Sequence, residues 1–317
     1  MITIKDIAKM ANCSVMTVSR VLNDYKYVNE DLRKRVQEVI KSSGYVQNNV
    51  ARSLVQGCTH TICLYIPSEL NSSETFVAQT LSAISEKLGN CGYSIMLQRQ
   101  IPHAQNFDGL IAVGLNIDDE EKFMRFSSLK PSVLYGNSDA FSEWVDVDNF
   151  MGMYKITKMV IEKGRKNIAY VGFSYNARYV VQRKEGFIKA MQDSGFDINE
   201  DMMLATDNTE ADGFSACETL MNMENPPDAI VFASDLIAVG GVHALNRRKI
   251  SIPKQVAVTG FDGFGLENMV FPKLTTVKQP LAKVGEQLAE AIMDMIIGIK
   301  LKKGIYIEPT IVEGESL

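Results

Sequence analysis

The 317-residue sequence is poor in the residues that make metal, disulfide and membrane chemistry: three histidines, five cysteines, one tryptophan, and no run approaching eighteen consecutive apolar residues. Without such a run no transmembrane helix is expected, and the chain starts on an amphipathic pattern rather than a charged-then-apolar leader, so a cytoplasmic protein is expected, with no membrane partner. Cys13, Cys58, Cys63, Cys91 and Cys217 are scattered, odd in number and form no CxxC pair, which predicts reduced, structural thiols. His60, His103 and His243 stand alone, with no metal-ligand spacing, and neither metal nor cofactor is expected. GxxxxGK, GxSxG and HExxH are absent, and "GFDGFG" does not follow GxGxxG order, so no catalytic residue is assigned and no enzyme is expected.

What is present is a soluble, globular composition, 46% apolar and 22% charged, with an uneven charge. Residues 1–57 hold nine Lys or Arg against five Asp or Glu, a net +4, which leaves −9 for the remainder of a chain whose total is −5. A basic head on an acidic body points to a polyanion-binding module attached to something that is not one.

In the head, Thr3 and Asp6 read as a capping pair, and Ile4, Ile7, Ala8 and Ala11 repeat at helical spacing, predicting a helix over about Ile4 to Met10. Asn12 suits a left-handed turn and Ser14 caps a second helix, with small Ala8 where the two cross: a helix-turn-helix. Within "CSVMTVSRVLN", about 100° of rotation per residue gathers Val18, Val21 and Leu22 on one face and Met16, Ser19, Arg20 and Asn23 on the other. That outer face offers hydroxyls, an amide, a thioether and a guanidinium, a mixture that suits a groove better than open water. A third helix runs from Asn29 as cap to a stop at Gly44. Its Arg33, Lys34 and Arg35 are candidates for phosphate contact, or for a solvated face.

"TIKDIAKMANCSVMTVSRVLN", "VNEDLRKRVQEVIKSSGY" and "NNVARSL" together resemble the headpiece of the lactose/galactose repressor (LacI) family of transcription regulators. The resemblance implies a second helix in the DNA major groove, with Val15, Met16 and Arg20 facing base edges and Thr17, Ser19 and Asn23 near phosphates. Asn29 and Arg52 are further expected DNA contacts, and the resemblance makes Leu54 a minor-groove wedge. Arg20 can pair bidentately with a guanine, while Val15 and Met16 can make only apolar contacts. Gln47 stands where the family usually has Pro.

Beyond residue 58 short apolar runs alternate with amphipathic ones: strands are predicted at 61–67, 93–98, 107–114, 132–136, 167–173, 202–206, 228–234 and 256–262, with helices between them and at 281–298. This is an α/β pattern of parallel sheets covered on both faces, too long for one sheet, so two similar lobes are expected. Only "RQIPHAQN" separates the second and third strands, which predicts that no helix covers that crossover. Ligands bind beyond the carboxyl ends of such strands, where Ser68, Asn137, Ser234, Asp235 and Asp262 fall, with Arg183 early in a following helix.

The family resemblance continues through "VDVDNFMG", "QRKEGF", "FASDLIAVGGVHAL", "VTGFDGF" and "FPKLTTVKQP". It implies a periplasmic-binding-protein-like core of two Rossmann-like lobes, with Arg183, Ser234 and Asp262 as the best effector contacts and Phe173 available for stacking. The expected organisation is a headpiece at 1–46, a hinge at 47–58 and a core at 59–317. Its N-lobe takes about 59–149 plus 277–302, and its C-lobe about 150–276 plus 303–317. A dimeric repressor of carbohydrate-utilisation genes, bound to pseudo-palindromic operator DNA and controlled by a small sugar, is the leading expectation. The alternatives are a nucleobase corepressor, a sugar receptor built on the body alone, or an enzyme with an accessory head.

Overall fold

The computed structural model describes residues 2–22, 27–45, 58–67, 74–100, 106–299 and 303–317. The chain divides into two compact units, Met1–Thr59 and His60–Leu317. Asn23, Ser68, Arg52, Leu54, Gln47 and the hinge expected around them lie outside the described residues.

The head is three helices, α1 (Ile4–Met10), α2 (Val15–Leu22) and α3 (Glu30–Ser43), and local chemistry sets each boundary. Thr3 and Asp6 form a reciprocal capping box, and Asn12 sits at φ 49° in the turn. The Ser14 hydroxyl accepts from Thr17 N–H at 3.1 Å, satisfying an amide that would otherwise lack a partner at the start of α2. Asn29 Oδ1 accepts from the amides of Asp31 and Leu32, and Gly44, left-handed at φ 67°, ends α3. Ile7, Ala8, Ala11, Val18, Val21 and Val36 bury against one another, which is the small core that these three amphipathic faces require.

The body carries two six-stranded sheets. The first is built from β1 (Thr61–Tyr65), β2 (Ser94–Gln98), β3 (Gly109–Val113), β4 (Ser132–Tyr135), β5 (Trp144–Val147) and β11 (Ile305–Ile307). Their order is β11-β5-β4-β3-β1-β2, all parallel. The second contains β6 (Ile168–Phe173), β7 (Met203–Thr206), β8 (Ala229–Phe232), β9 (Ala257–Asp262), β10 (Thr275–Lys278) and β12 (Thr310–Val312). Its order is β12-β10-β9-β8-β6-β7, parallel except for β12 against β10. Strands such as "AIVF" are apolar and buried along their length, because helices cover both faces.

Helices α4 (Glu74–Asn90), α5 (Ile117–Ser127) and α10 (Leu281–Ile296) pack on the first sheet. Helices α6 (Asn149–Glu162), α7 (Arg178–Asp193), α8 (Glu210–Met221) and α9 (Asp235–Arg247) pack on the second. Gly109 lets α10 lie close on the first sheet: a Cβ there would stand 2.8 Å from the Ile292 side chain.

Among the described residues the chain passes between lobes at three places: β5 to α6, β10 to α10, and β11 to β12. This corrects the expected lobe boundaries. Residues 277–278 belong to the second sheet, not the N-lobe, and 303–307 lead into and form β11 of the first sheet, not the C-lobe. The physical reason is that "IYI" adds to β5 in parallel register, so the crossing falls at Glu308 and Pro309, after that strand. Between β2 and β3 the described residues are not helical, and 101–105 lie outside them.

Candidate functional site

Two places gather chemistry. On the head, the outward side of α2 leaves Met16 63% and Val15 40% exposed, with Arg20 exposed and Thr17 and Ser19 half-buried beside them. The Thr17 hydroxyl also meets that of Ser14 at 2.9 Å, so it is held at the helix N-terminus, where the macrodipole favours an anion. Asn29 is exposed, and its carbonyl is spent on capping α3.

The second place is a cleft between the lobes at the carboxyl ends of both sheets. Arg183, on the inner side of α7, is 4% exposed. Gly186 one turn later lets α7 press on α6, since a Cβ there would stand 2.4 Å from the Phe150 carbonyl oxygen. Arg183 Nε donates to Asn149 Oδ1 at 2.9 Å, and Nη1 donates to the Ala233 carbonyl at 2.6 Å and to Asp262 Oδ1 at 3.4 Å. Its guanidinium carbon lies 3.7 Å from the centroid of the Phe261 ring, a cation–π contact that fixes the plane. Asp262 also accepts from Gln279 Nε2 at 2.8 Å. It ends β9 at φ 133°, a conformation that costs a non-glycine residue about 1–3 kcal/mol and that its bonded carboxylate holds. Burial pushes that carboxyl up to about 6 despite Arg183.

An aromatic wall completes the second-lobe side. The Phe173 and Tyr175 rings stack at 5.1 Å, Tyr179 meets Tyr175 edge-on, and the Tyr179 hydroxyl donates to that of Tyr175 at 2.9 Å. Ser234 Oγ donates to Asn208 Oδ1 at 2.7 Å. From the first lobe, Asn137 N–H donates to Asp146 Oδ2 at 3.0 Å, and Val147 N–H to Asp146 Oδ1 at 2.8 Å. The Tyr135 hydroxyl and Asn137 Oδ1 are buried with no protein partner. Across the rim, Arg178 of α7 spans to the first lobe: Nε and Nη2 donate to the two oxygens of Glu120 at 2.6 and 3.2 Å, and Nη1 to Asp139 at 2.7 Å.

Of the residues singled out in the sequence, Asn137, Phe173, Arg183, Ser234 and Asp262 meet in this cleft. Asp235 does not. It is 1% exposed, and its carboxylate turns away to accept from Gly263 N–H at 2.7 Å and from the Thr276 hydroxyl at 2.5 Å, tying β9 to β10. Sequence reasoning missed Tyr135, Asp146, Tyr175, Arg178, Tyr179 and Glu120. The tyrosines carried a faint signal in "FSYNARY", where 175 and 179 stand one helical turn apart after a strand.

Asp146 makes the cleft pH-sensitive. Burial pushes its carboxyl from 3.8 up to about 7, against two backbone N–H donors and the more distant Arg183. The folded chain therefore holds a proton that the unfolded chain releases near pH 4; the stability is full below that pH and declines as pH rises through about 7. Differential scanning fluorimetry of Asp146→Asn from pH 5.5 to 8 is expected to give a flatter Tm profile than the parent. Parallel profiles would remove Asp146 as the titrating group.

Among the described residues no helix is long and apolar enough to cross a membrane, and no cluster of His, Cys, Asp and Glu could hold a metal. Residues 3–48 match the model of bacterial regulatory proteins of the lacI family, and residues 157–317 match a periplasmic binding protein-like domain. The chain is 32% identical to the uncharacterized HTH-type transcriptional regulator YvdE of Bacillus subtilis (strain 168), covering 100% of this chain and 99% of that one. It is 29% identical to the HTH-type transcriptional repressor PurR of Actinobacillus pleuropneumoniae serotype 3 (strain JL03), covering 98% and 95%. Among solved structures, the transcriptional regulator CelR in complex with cellobiose matches at TM-score 0.75 and 26% identity, over 100% of both chains. With a helix-turn-helix that presents a polar ridge and a two-lobed body around a built cleft, the chain belongs to the lacI family of bacterial regulatory proteins and is a DNA-binding transcriptional regulator.

Proposed function

We propose that the chain represses carbohydrate-utilisation genes, binding a pseudo-palindromic operator as a homodimer under the control of a small sugar or sugar-like effector in the interlobe cleft. The observation that carries the effector is the pair of buried Arg183 and half-buried Asp262 beside the aromatic wall. A donor and an acceptor fixed side by side serve neighbouring ring hydroxyls, and aromatic faces serve the apolar face of the same ring. CelR, similar along its whole length, was solved with cellobiose. Phe173, Tyr175 and Tyr179 also offer stacking surface to a planar base, which keeps a nucleobase corepressor as the second reading.

Met269 and Phe271, 77% and 80% exposed on the second lobe, support association with a second copy, and a two-fold protein suits a palindrome. Effector binding that alters cleft closure is then linked to operator affinity, and operator DNA changes effector affinity by the same factor.

The test is a gel-shift series with palindromes from the protein's own genomic neighbourhood. With six to ten phosphate contacts, affinity is expected to fall by about 10³–10⁵ between 50 and 200 mM salt. Failure to bind any of them, with and without candidate sugars and nucleobases, refutes the operator. The same preparations, screened by thermal shift against both ligand classes, decide between the two effectors.

A further inference from the structure

We propose that the cleft selects an uncharged ligand, a neutral mono- or disaccharide, and rejects sugar phosphates and sugar acids. The proposal rests on the reading of the cleft as a sugar site and narrows it by charge.

Among the described residues that line the cleft, the cations are Arg178 and Arg183, and each is already matched. Arg178 gives all three of its nitrogens to Glu120 and Asp139 across the rim, two carboxylates for one guanidinium. Glu120 is itself 6% exposed and accepts from the Ser138 hydroxyl at 2.9 Å, so this pairing belongs to the closed rim and is not available to a ligand. Arg183 spends Nε and Nη1 on Asn149, Ala233 and Asp262, and one face on Phe261, which leaves Nη2 to donate from a charge that Asp262 already balances. Residues 68–73, which follow β1, contain no lysine or arginine.

The opposite sign is in excess. Glu120, Asp146 and Asp262 face the cleft, and Asp146 is bonded by two backbone amides, with Arg183, its nearest cation, too distant to pair with it and already matched by Asp262. A phosphate or carboxylate entering here would lose its hydration, find no unmatched cation and stand near an unbalanced carboxylate, each of which disfavours it in a low-dielectric site. A neutral sugar meets the reverse. Asn137 Oδ1 needs a donor, the Tyr135 hydroxyl can give or take, Arg183 Nη2 needs an acceptor, and each oxygen of Asp146 has one backbone donor and room to accept another. Hydroxyls answer all four, and Phe76, Phe173 and Phe264 leave apolar faces for the C–H side of the rings.

The test uses the full chain at pH 8.0, where Asp146 is ionised. Thermal shift followed by calorimetry compares glucose, maltose, cellobiose, trehalose and lactose with glucose 6-phosphate, trehalose 6-phosphate, glucuronate and galacturonate, and with guanine and hypoxanthine. At least one neutral sugar is expected to raise Tm by several degrees and to bind at least tenfold more tightly than its charged counterpart. Asp146→Asn is expected to narrow that ratio at least threefold. A charged sugar that binds as well as its neutral counterpart, or a ratio unmoved by Asp146→Asn, overturns the charge selection while leaving the sugar site standing. A response to nucleobases alone, or to none of the panel, overturns the sugar site and the selection together.

Discussion

Replacing Arg183 with alanine is expected to abolish the thermal shift produced by the effector and to lower Tm in its absence. The second effect follows from burial. The Arg183 side chain is 5% exposed, and its removal takes the cation from the largely buried Asp262 while orphaning the Ala233 carbonyl and Asn149 Oδ1. Breaking a buried pair from one side costs about 3–5 kcal/mol, because the remaining charge keeps its desolvation penalty. The loss should be largest at high pH, where Asp262 is ionised, and protonation relieves it; without Arg183, which lowers this carboxyl, that protonation should come at a higher pH than in the parent. A double variant, Arg183→Met with Asp262→Asn, removes both charges and should regain most of the stability without regaining the ligand response. That pattern separates recognition from folding. A single variant that keeps its full ligand-induced shift would remove Arg183 from the effector site, and a double variant no more stable than the single one would show that charge burial was not the cause.

The head was legible because its boundaries are local. Thr3 with Asp6, Asn12, Ser14, Asn29 and Gly44 each act within a few residues, so spacing alone revealed them. The long parallel strands were legible as apolar runs. β5 was not, since "WVDV" is four residues with a carboxylate among them, and neither was β10; "IYIEPTIVEG" reads as one extended run, but its division into β11 and β12 of different sheets gains meaning only from the neighbours they pair with. Arg183 and Asp262 could be read from their places after a strand and at its end. Asp235 occupied an equally suggestive place, yet Gly263 and Thr276, distant in sequence, captured its carboxylate. The rim was hidden for the same reason: Glu120, Asp139 and Arg178 come from separate segments that meet only when the two lobes do.

On the head, Arg20→Ala is expected to weaken binding to the cognate operator by about 5- to 150-fold, the equivalent of losing one bidentate contact of 1–3 kcal/mol. The substitution should cost the fold little: Arg20 is exposed on α2, the core of Ile7, Val18, Val21 and Val36 is untouched, and alanine is a strong helix former. Because a base contact carries sequence information, the loss should be confined to the operator, with binding to a scrambled duplex and the slope of log affinity against log salt nearly unchanged. Lys34→Ala on α3, also exposed, provides the contrasting case. If Lys34 meets a phosphate, its loss should weaken both duplexes alike and reduce the salt slope by about one. Gel shifts of the two variants on both duplexes at three salt concentrations separate the roles. Equal weakening of operator and scrambled DNA by Arg20→Ala would reassign that guanidinium to the phosphate backbone and leave Val15 and Met16 to supply whatever direct base reading α2 performs.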